Sequence, residues 1–334
     1  MTAPASSLIF GAGSWGTALA VHLATAGHRV QLWGRDADLI EGMQRRRVNE
    51  TYLPAIPLPD LIEPTTSFDA VRSARFVIFA VPSHGFRAVA RAAAPHLSPE
   101  AIAISATKGL EELSLCRMTE VLGEELPRHP VVALSGPSFA LELARQQPTA
   151  IVAASANSDA VAAVQEEFRG RSLRLYGSDD VIGVEMGGAL KNVIAIAAGI
   201  VEGTGLGHNA LAGLITRGLA EISRLSVAAG GRRDTLSGLS GLGDLVLTCT
   251  GALSRNRHVG VELGRGQTLE QVLGSMKMVA EGVRTTRAAL ALGERYGVEL
   301  PIARQMSDVM AGTRTAEEAL QELMIRRQRH ENDR

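Results

Sequence analysis

The sequence predicts an α/β domain followed by an all-helical one. Two patterns carry this: up to Tyr176 short β-like runs alternate with helical segments, and beyond Tyr176 the β-like runs stop. A third observation is the glycine-rich turn that joins the first β-like run to the first helical segment. Strands alternating with helices is the order that builds a parallel sheet covered by helices. The boundary falls near 177–180, so the chain divides into residues 1–178 and 179–334.

In chain order, candidate strands occupy 8–10, 29–33, 75–81, 101–106, 131–134, 150–154 and 173–176. Between them, segments such as 17–26 and 37–48 repeat their apolar positions at helical rather than alternating spacing. The Pro-rich stretch 52–60 suits neither element and reads as a connecting loop. After the boundary, helices are expected at 181–201, 209–229, 256–263, 282–296 and 316–329, separated by Gly-rich turns. The first of these has the length and apolar character of a membrane span, but Glu185, Lys191 and Asn192 interrupt it. A lysine near the centre of a spanning helix costs ~2.5 kcal/mol or more, so 181–201 reads as a buried helix of a soluble domain, without stable membrane insertion.

At 334 residues, with 46% hydrophobic residues, the chain is long enough for two ordinary cores. Its 34 basic and 35 acidic residues leave a net charge of -1, so there is no excess positive field to hold a nucleic-acid backbone, and no nucleic-acid partner is expected. Cys116 and Cys249 are too few and too far apart for a disulfide framework or a Cys-x-x-Cys metal site. The eight histidines show no metal-ligand spacing, and no metal is expected. Residues 1–7 lack a basic segment followed by a long apolar stretch, which predicts a cytoplasmic protein without an export signal.

Gly11, Ala12, Gly13, Ser14, Trp15 and Gly16 follow directly on the apolar run at 8–10 and open the helical segment 17–26. This strand-turn-helix context makes the motif specific for a Rossmann-type dinucleotide-binding domain. Gly11 permits the tight turn, Gly13 lets the backbone approach a pyrophosphate, and Gly16 lets the helix pack on the strand. The helix N-terminus, from Ser14 and Trp15 onward, offers N–H groups and a positive dipole end to the phosphates. The alternative is a glycine-rich turn without a ligand. At the end of the next strand, where an Asp or Glu often meets the ribose hydroxyls, the chain reads Trp33, Gly34, Arg35, Asp36. The acidic residue comes one place late, and Arg35 is suited to an adenosine 2′-phosphate, which favours NADPH over NADH; the other reading is a solvated surface arginine.

The chain resembles the bacterial-type NAD(P)-dependent sn-glycerol-3-phosphate dehydrogenase family over nearly its whole length. The resemblance rests on the Gly11 to Ala20 opening, on Val81-Pro82-Ser83, on Ala106-Thr107-Lys108-Gly109 and on Ser135-Gly136-Pro137-Ser138-Phe139-Ala140. It continues in Gly188-Ala189-Leu190-Lys191-Asn192-Val193, in Gly241-Leu242-Gly243-Asp244-Leu245 and in Ser254-Arg255-Asn256. Trp15 and Ser138 are minor departures, at positions where the family also uses other aromatics and commonly Thr. The resemblance implies hydride transfer between NAD(P)H and dihydroxyacetone phosphate, giving sn-glycerol 3-phosphate for glycerophospholipid synthesis, in a homodimer. It further implies that Asn192 and Asp244 lie beside Lys191, and that Gly136 and Ser138 touch substrate. Lys108 would bridge substrate and cofactor, and Ala140, Arg255, Val279 and Glu281 would be cofactor contacts.

Residue chemistry fits this picture. Reducing a ketone needs a proton donor and an anchor that holds the substrate. Lys191 is the natural donor: it sits alone in an apolar helix, where desolvation disfavours the ammonium and a nearby carboxylate would oppose that shift. The alternative is a lysine that snorkels to the surface. If the segment after Gly243 is helical, Asp244 and Thr248 at i and i+4 share one face, and Thr248 joins the cluster or caps a helix. Ser254 has N-cap chemistry, and a helix start beside an Arg fork is a phosphate site, so Arg255 is the expected phosphate anchor with Asn256 assisting. Pro137 suits the first position of a helix begun by the turn at 135–138. Cys249 reads as a buried small residue. Two other functions compete: another two-domain dehydrogenase of the β-hydroxyacid type, which would lack the phosphate motif at Arg255, and a nucleotide-sensing regulator, which would need a basic DNA-reading segment.

Overall fold

The structure, a computed structural model, describes residues 7–276 and 280–327. The chain forms two compact units, one holding residues up to Lys108 together with 116–184, the other holding Gly109–Leu115 and the chain from Glu185 onward.

The first unit runs β1 (Ser7–Phe10), α1 (Ser14–Thr25), β2 (Val30–Trp33), α2 (Ala37–Arg46), β3 (Val48–Asn49), β4 (Leu53–Pro57), β5 (Ile62–Thr65), β6 (Phe76–Phe79) and α3 (Ser83–Ala93). It continues with β7 (Ile102–Ser105), α4 (Met118–Glu125), β8 (Val131–Ser135), α5 (Ala140–Ala144), β9 (Thr149–Ala154), α6 (Ser158–Glu167) and β10 (Leu173–Ser178). Eight strands form one sheet in the order β10-β9-β8-β7-β6-β1-β2-β5, parallel at every pairing except β8 with β9. Because successive side chains leave opposite faces of a strand, the central strands feed two cores. Ile9, Ile78 and Ile104 face the layer that includes Leu19 of α1, Leu143 of α5 and Val164 of α6. Leu8, Phe10, Val77 and Phe79 face Phe86 and Ala90 of α3 and Met118 and Leu122 of α4. The stacked rings of Phe10 and Phe79, with centroids 5.1 Å apart, fasten β1 to β6 on that side.

Between α2 and β5, three features depart from the expectation. The stretch 52–60 is not simply a loop, since β4 lies within it and pairs antiparallel with β3 as a separate ribbon. Prolines are tolerated because a two-stranded ribbon leaves half its backbone groups outside the ladder, and Leu53 and Ile56 are buried while Pro54 and Pro57 are exposed. The helix expected over 37–48 ends at Arg46, where Arg47 takes a left-handed conformation at φ 53° and turns the chain into β3. Strand β5, with Pro64, is the third; it sits at the sheet edge, the place that admits proline.

The remaining chain is helical, and its described residues contain no strand: α7 (Val181–Gly203), α8 (His208–Ala228), α9 (Arg233–Leu236), a π turn (Leu239–Gly243), α10 (Asp244–Thr250) and α11 (Arg255–Gly264). Helices α12 (Leu269–Ser275), α13 (Glu281–Tyr296), α14 (Pro301–Met310) and α15 (Ala316–Met324) complete it. Helix α7 is long and apolar enough to cross a membrane, but most of its apolar window is buried inside the protein, which is the place of a core helix. Glycines set its packing. Between α7 and α11, a Cβ on Gly199 would lie 2.8 Å from the Gly260 Cα, and one on Gly264 would lie 3.1 Å from the Gly203 Cα. Two pairs of glycines one helical turn apart thus let the two backbones touch, with no side chain between them.

Candidate active site

In the first unit, β1 delivers the chain to Gly11, whose N–H donates to the Trp33 carbonyl at 2.9 Å. Gly11 has φ +116°, and a Cβ there would lie 2.6 Å from the Ala80 carbonyl oxygen. A Cβ on Gly16 would collide with the Gly11 carbonyl, so both glycines are demanded by the protein itself. Gly13 differs: a Cβ there would meet nothing within 4 Å. Packing leaves that side of the turn open at the start of α1, where the N–H groups of a first helical turn have no acceptor within the helix. The open side of the turn at a helix start has the character of an anion cradle and is compatible with the pyrophosphate of a dinucleotide.

At the end of β2, Asp36 is the N-cap of α2, its carboxylate accepting from the Leu39 N–H at 3.1 Å. This explains the late acidic residue as a helix cap. Arg35 beside it is exposed and makes no hydrogen bond or ion pair with the described residues. Lys108, just past β7, donates from Nζ to the Gly136 carbonyl at 2.7 Å and to Ser138 Oγ at 3.1 Å, and Ser138 Oγ donates to the same carbonyl at 2.9 Å. Lys108, Gly136 and Ser138, separate in sequence, therefore form one cluster. Gly136 is held at φ +135° with no room for a Cβ against Ile151 of β9. The helix that Pro137 was expected to open starts later, at Ala140 with Phe139 as its N-cap, because these bonds keep 136–138 as a turn.

In the second unit, Lys191 is buried at 6% exposure on α7, and its Nζ pairs with the carboxylate of Asp244, which is fully buried. Nζ also donates to Thr248 Oγ1 at 2.7 Å, and that hydroxyl donates to the Asp244 backbone carbonyl at 2.6 Å, one turn back along α10. The segment after Gly243 is helical, so Asp244 and Thr248 do share a face, and the lysine does not snorkel to the surface. Asp244 opens α10 directly after the π turn, whose Leu239 and Gly241 carbonyls accept from its backbone N–H. The π turn before it comes close to α7 because residue 187 is glycine: a Cβ there would fall on the Ser240 carbonyl group.

Asn192, next to Lys191, accepts at Oδ1 from Asn256 Nδ2 at 3.0 Å, and Asn256 Oδ1 accepts from the Gly282 N–H at 2.9 Å. This chain of bonds ties α7 to the starts of α11 and α13, and it engages the Asn256 amide with protein partners. Ser254 caps α11, its Oγ accepting from the Arg257 N–H at 3.2 Å. Arg255 is the first residue of α11 and is exposed. Protein around its guanidinium lowers its pKa from the ordinary arginine value and Glu281 opposes that; with this much surface in water it stays a cation. Burial pushes the Cys249 thiol up to about 12, so it is no nucleophile at neutral pH. Val279 lies outside the described residues. Sequence reasoning does not find Asn49 or Gly187: an asparagine between a helical segment and a Pro-rich one carries no local signal, nor does a glycine inside a long helix.

A model of the family described as NAD-dependent glycerol-3-phosphate dehydrogenase N-terminus matches residues 8–161, and one described as the C-terminus of the same family matches 180–321. The chain belongs to the NAD-dependent glycerol-3-phosphate dehydrogenase family. A glycerol-3-phosphate dehydrogenase [NAD(P)+] of Koribacter versatilis is 50% identical over 324 residues, covering 95% of this chain and 96% of that one. One from Acidobacterium capsulatum is 49% identical, covering 97% and 98%. The crystal structure of glycerol-3-phosphate dehydrogenase from Coxiella burnetii superposes with a TM-score of 0.93 at 39% identity, covering 97% of this chain and 99% of that one. Membership of this family over both halves of the chain disfavours the β-hydroxyacid type.

The buried pair gives a stability test. Asp244→Leu leaves an ammonium in the interior without its counter-charge and is expected to cost about 3–5 kcal/mol in urea unfolding, whereas the double variant Asp244→Leu with Lys191→Met should recover most of that loss. Wild-type stability in the single variant would show that Asp244 does not compensate the lysine.

Proposed function

We propose that the chain is an NAD(P)-dependent glycerol-3-phosphate dehydrogenase, interconverting dihydroxyacetone phosphate and sn-glycerol 3-phosphate. The observation that carries this is Lys191, buried, paired with Asp244 and held by Thr248, within the segment matching the family's C-terminus. When bound, the nicotinamide supplies or accepts the hydride at the substrate's carbinol carbon. Lys191 Nζ gives a proton to the carbonyl oxygen as the ketone is reduced and takes it back from the hydroxyl in the reverse direction. Asp244 and Thr248 fix the position of Nζ, and Asn192 anchors the neighbouring turn through Asn256.

Arg255 and the capped start of α11, with Ser254 and Asn256, are the proposed phosphate anchor, supported by a guanidinium and a helix N-terminus at one place. Lys108, Gly136 and Ser138 are proposed substrate contacts in the first unit, supported by their shared hydrogen bonds. For the cofactor, the proposed holders are the Gly11 to Gly16 turn, Lys108, Ala140, Arg255, Val279 and Glu281. NADPH is the proposed preference, since Arg35 is exposed without a partner among the described residues and Asp36 is engaged as a helix cap. The same reading makes the protein a cytoplasmic homodimer that supplies glycerol 3-phosphate for glycerophospholipid synthesis. Neither nucleic acid nor stable membrane insertion has a part in it, in keeping with the balanced charge and the burial of α7.

The direct test follows NADPH absorbance on addition of dihydroxyacetone phosphate. Turnover is expected, and Lys191→Met should lower kcat by ~10²–10⁴ while NADPH still binds; no turnover by the wild type overturns the function, and an undiminished variant overturns the role of Lys191. Arg255→Leu should cost ~1.5–3 kcal/mol in kcat/KM for dihydroxyacetone phosphate, and much less for unphosphorylated dihydroxyacetone. Equal losses on both substrates would place the phosphate elsewhere. Arg35→Asp should reverse an NADPH preference of about tenfold to hundredfold, read as the NADPH to NADH ratio of kcat/KM. An unchanged ratio removes Arg35 from cofactor selection.

A further inference from the structure

The dinucleotide turn is braced by a residue outside its motif. Asn49, in the two-residue strand β3, has 0% exposure. Its Nδ2 donates to the Ala12 carbonyl at 2.9 Å and to Thr17 Oγ1 at 2.8 Å, and its Oδ1 accepts from the Tyr52 N–H at 3.1 Å. The ribbon that carries it is itself anchored: Leu53, Ile56 and Leu58 are buried in the same apolar cluster as Ala12, Ala18 and Leu19. Thr17, the second acceptor, is fully buried and closes the first helical hydrogen bond of α1, its N–H donating to the Gly13 carbonyl at 3.0 Å. One amide therefore grips the turn at Ala12 and the helix at Thr17, the residues on either side of Gly13, Ser14, Trp15 and Gly16.

The bond to Ala12 sets a direction. In a trans peptide the C=O and the following N–H point opposite ways, and the described residues contain no cis peptide. With the Ala12 carbonyl turned inward to Asn49, the Gly13 N–H is turned the opposite way, away from Asn49, and a Cβ on Gly13 would meet nothing within 4 Å. We propose that Asn49 is a positioning residue for the cofactor, fixing the Ala12–Gly13 peptide so that the Gly13 N–H is presented to the pyrophosphate. An anion is held by N–H groups whose orientation is set before it arrives, since rotating a peptide into place on binding would weaken the contact. The proposal rests on the reading of the turn as an NAD(P)-binding site.

Asn49→Asp keeps the size of the side chain and the acceptor for Tyr52 but turns a carboxylate oxygen on the Ala12 carbonyl. Fluorescence titration should show the Kd for NADPH rising about tenfold or more, with kcat at saturating NADPH and dihydroxyacetone phosphate within about threefold of wild type. Thr17→Val removes only the second acceptor, so it should lower Tm yet leave the Kd for NADPH within about twofold. In the wild type, the Gly13 amide resonance should shift on addition of NADPH. A folded N49D protein with unchanged Kd, equal losses of affinity in both variants, or a Gly13 amide indifferent to NADPH would each overturn the proposal. A Gly13 amide indifferent to NADPH overturns the proposal even if N49D does not fold, and the role of Asn49 is then read from the Kd of Asn49→Ser, which is expected to rise likewise. A wild type that binds neither NADPH nor NADH overturns the cofactor reading itself, whereas unchanged affinity in N49D overturns only the role of Asn49.

Discussion

A lysine ammonium in the interior of an apolar helix is the constraint around which the helical unit is arranged. Its desolvation costs several kcal/mol unless a counter-charge and hydrogen-bond acceptors lie within contact. Asp244 and Thr248 meet that need, and both come from α10, more than fifty residues later in the chain. The surrounding architecture keeps α10 where the lysine needs it. The π turn lays its backbone on α7 at Gly187, and α10 begins at the residue that must face Lys191. The π turn departs from regular helical winding just before Asp244 and so changes where that side chain is directed.

The same helix fixes the proposed phosphate anchor by a different means. Gly199 and Gly203 against Gly260 and Gly264 bring α7 and α11 to backbone contact, and the amide chain from Asn192 through Asn256 to Gly282 sets the starts of α11 and α13. Small residues remove the steric slack between the helices, and the paired amides remove the rotational slack that packing alone leaves. Arg255 and Glu281, the first residues of α11 and α13, inherit their places from these contacts. A long exposed arginine side chain then needs no dense packing of its own, because its Cα is already placed.

The dinucleotide turn obeys parallel logic. Two of its glycines answer to the protein, Gly11 to Ala80 and Gly16 to Gly11, while Gly13 alone has open space beside it. The β3–β4 ribbon, whose prolines look like loop residues, carries the buried asparagine that grips the turn from behind. Rigidity there comes from hydrogen bonds to the backbone, which resist rotation of a peptide as apolar contacts cannot.

Much of the function could be read in the chain itself. The strand-turn-helix setting of Gly11 to Gly16, the end of β-like patterning after Tyr176 and the isolation of Lys191 in an apolar helix are local signals, each produced by residues within one or two turns. Strand β4, the antiparallel pairing of β8 with β9, and the later start of α5 were not legible, because strand pairing and turn geometry depend on partners far away in sequence. Asn49 and Gly187 belong with these, since neither an asparagine in a polar stretch nor a glycine in a helix shows what will lie against it. The sequence by itself determined where the residue types that the proposed chemistry needs stand: a lysine that must be paired, a glycine-rich turn at a helix start, an arginine beside a capping serine. Tertiary structure alone decided which partners they meet, because burial and backbone close approach are set by packing between distant segments, and only packing turns an unpaired lysine into an ion pair or an ordinary amide into a brace.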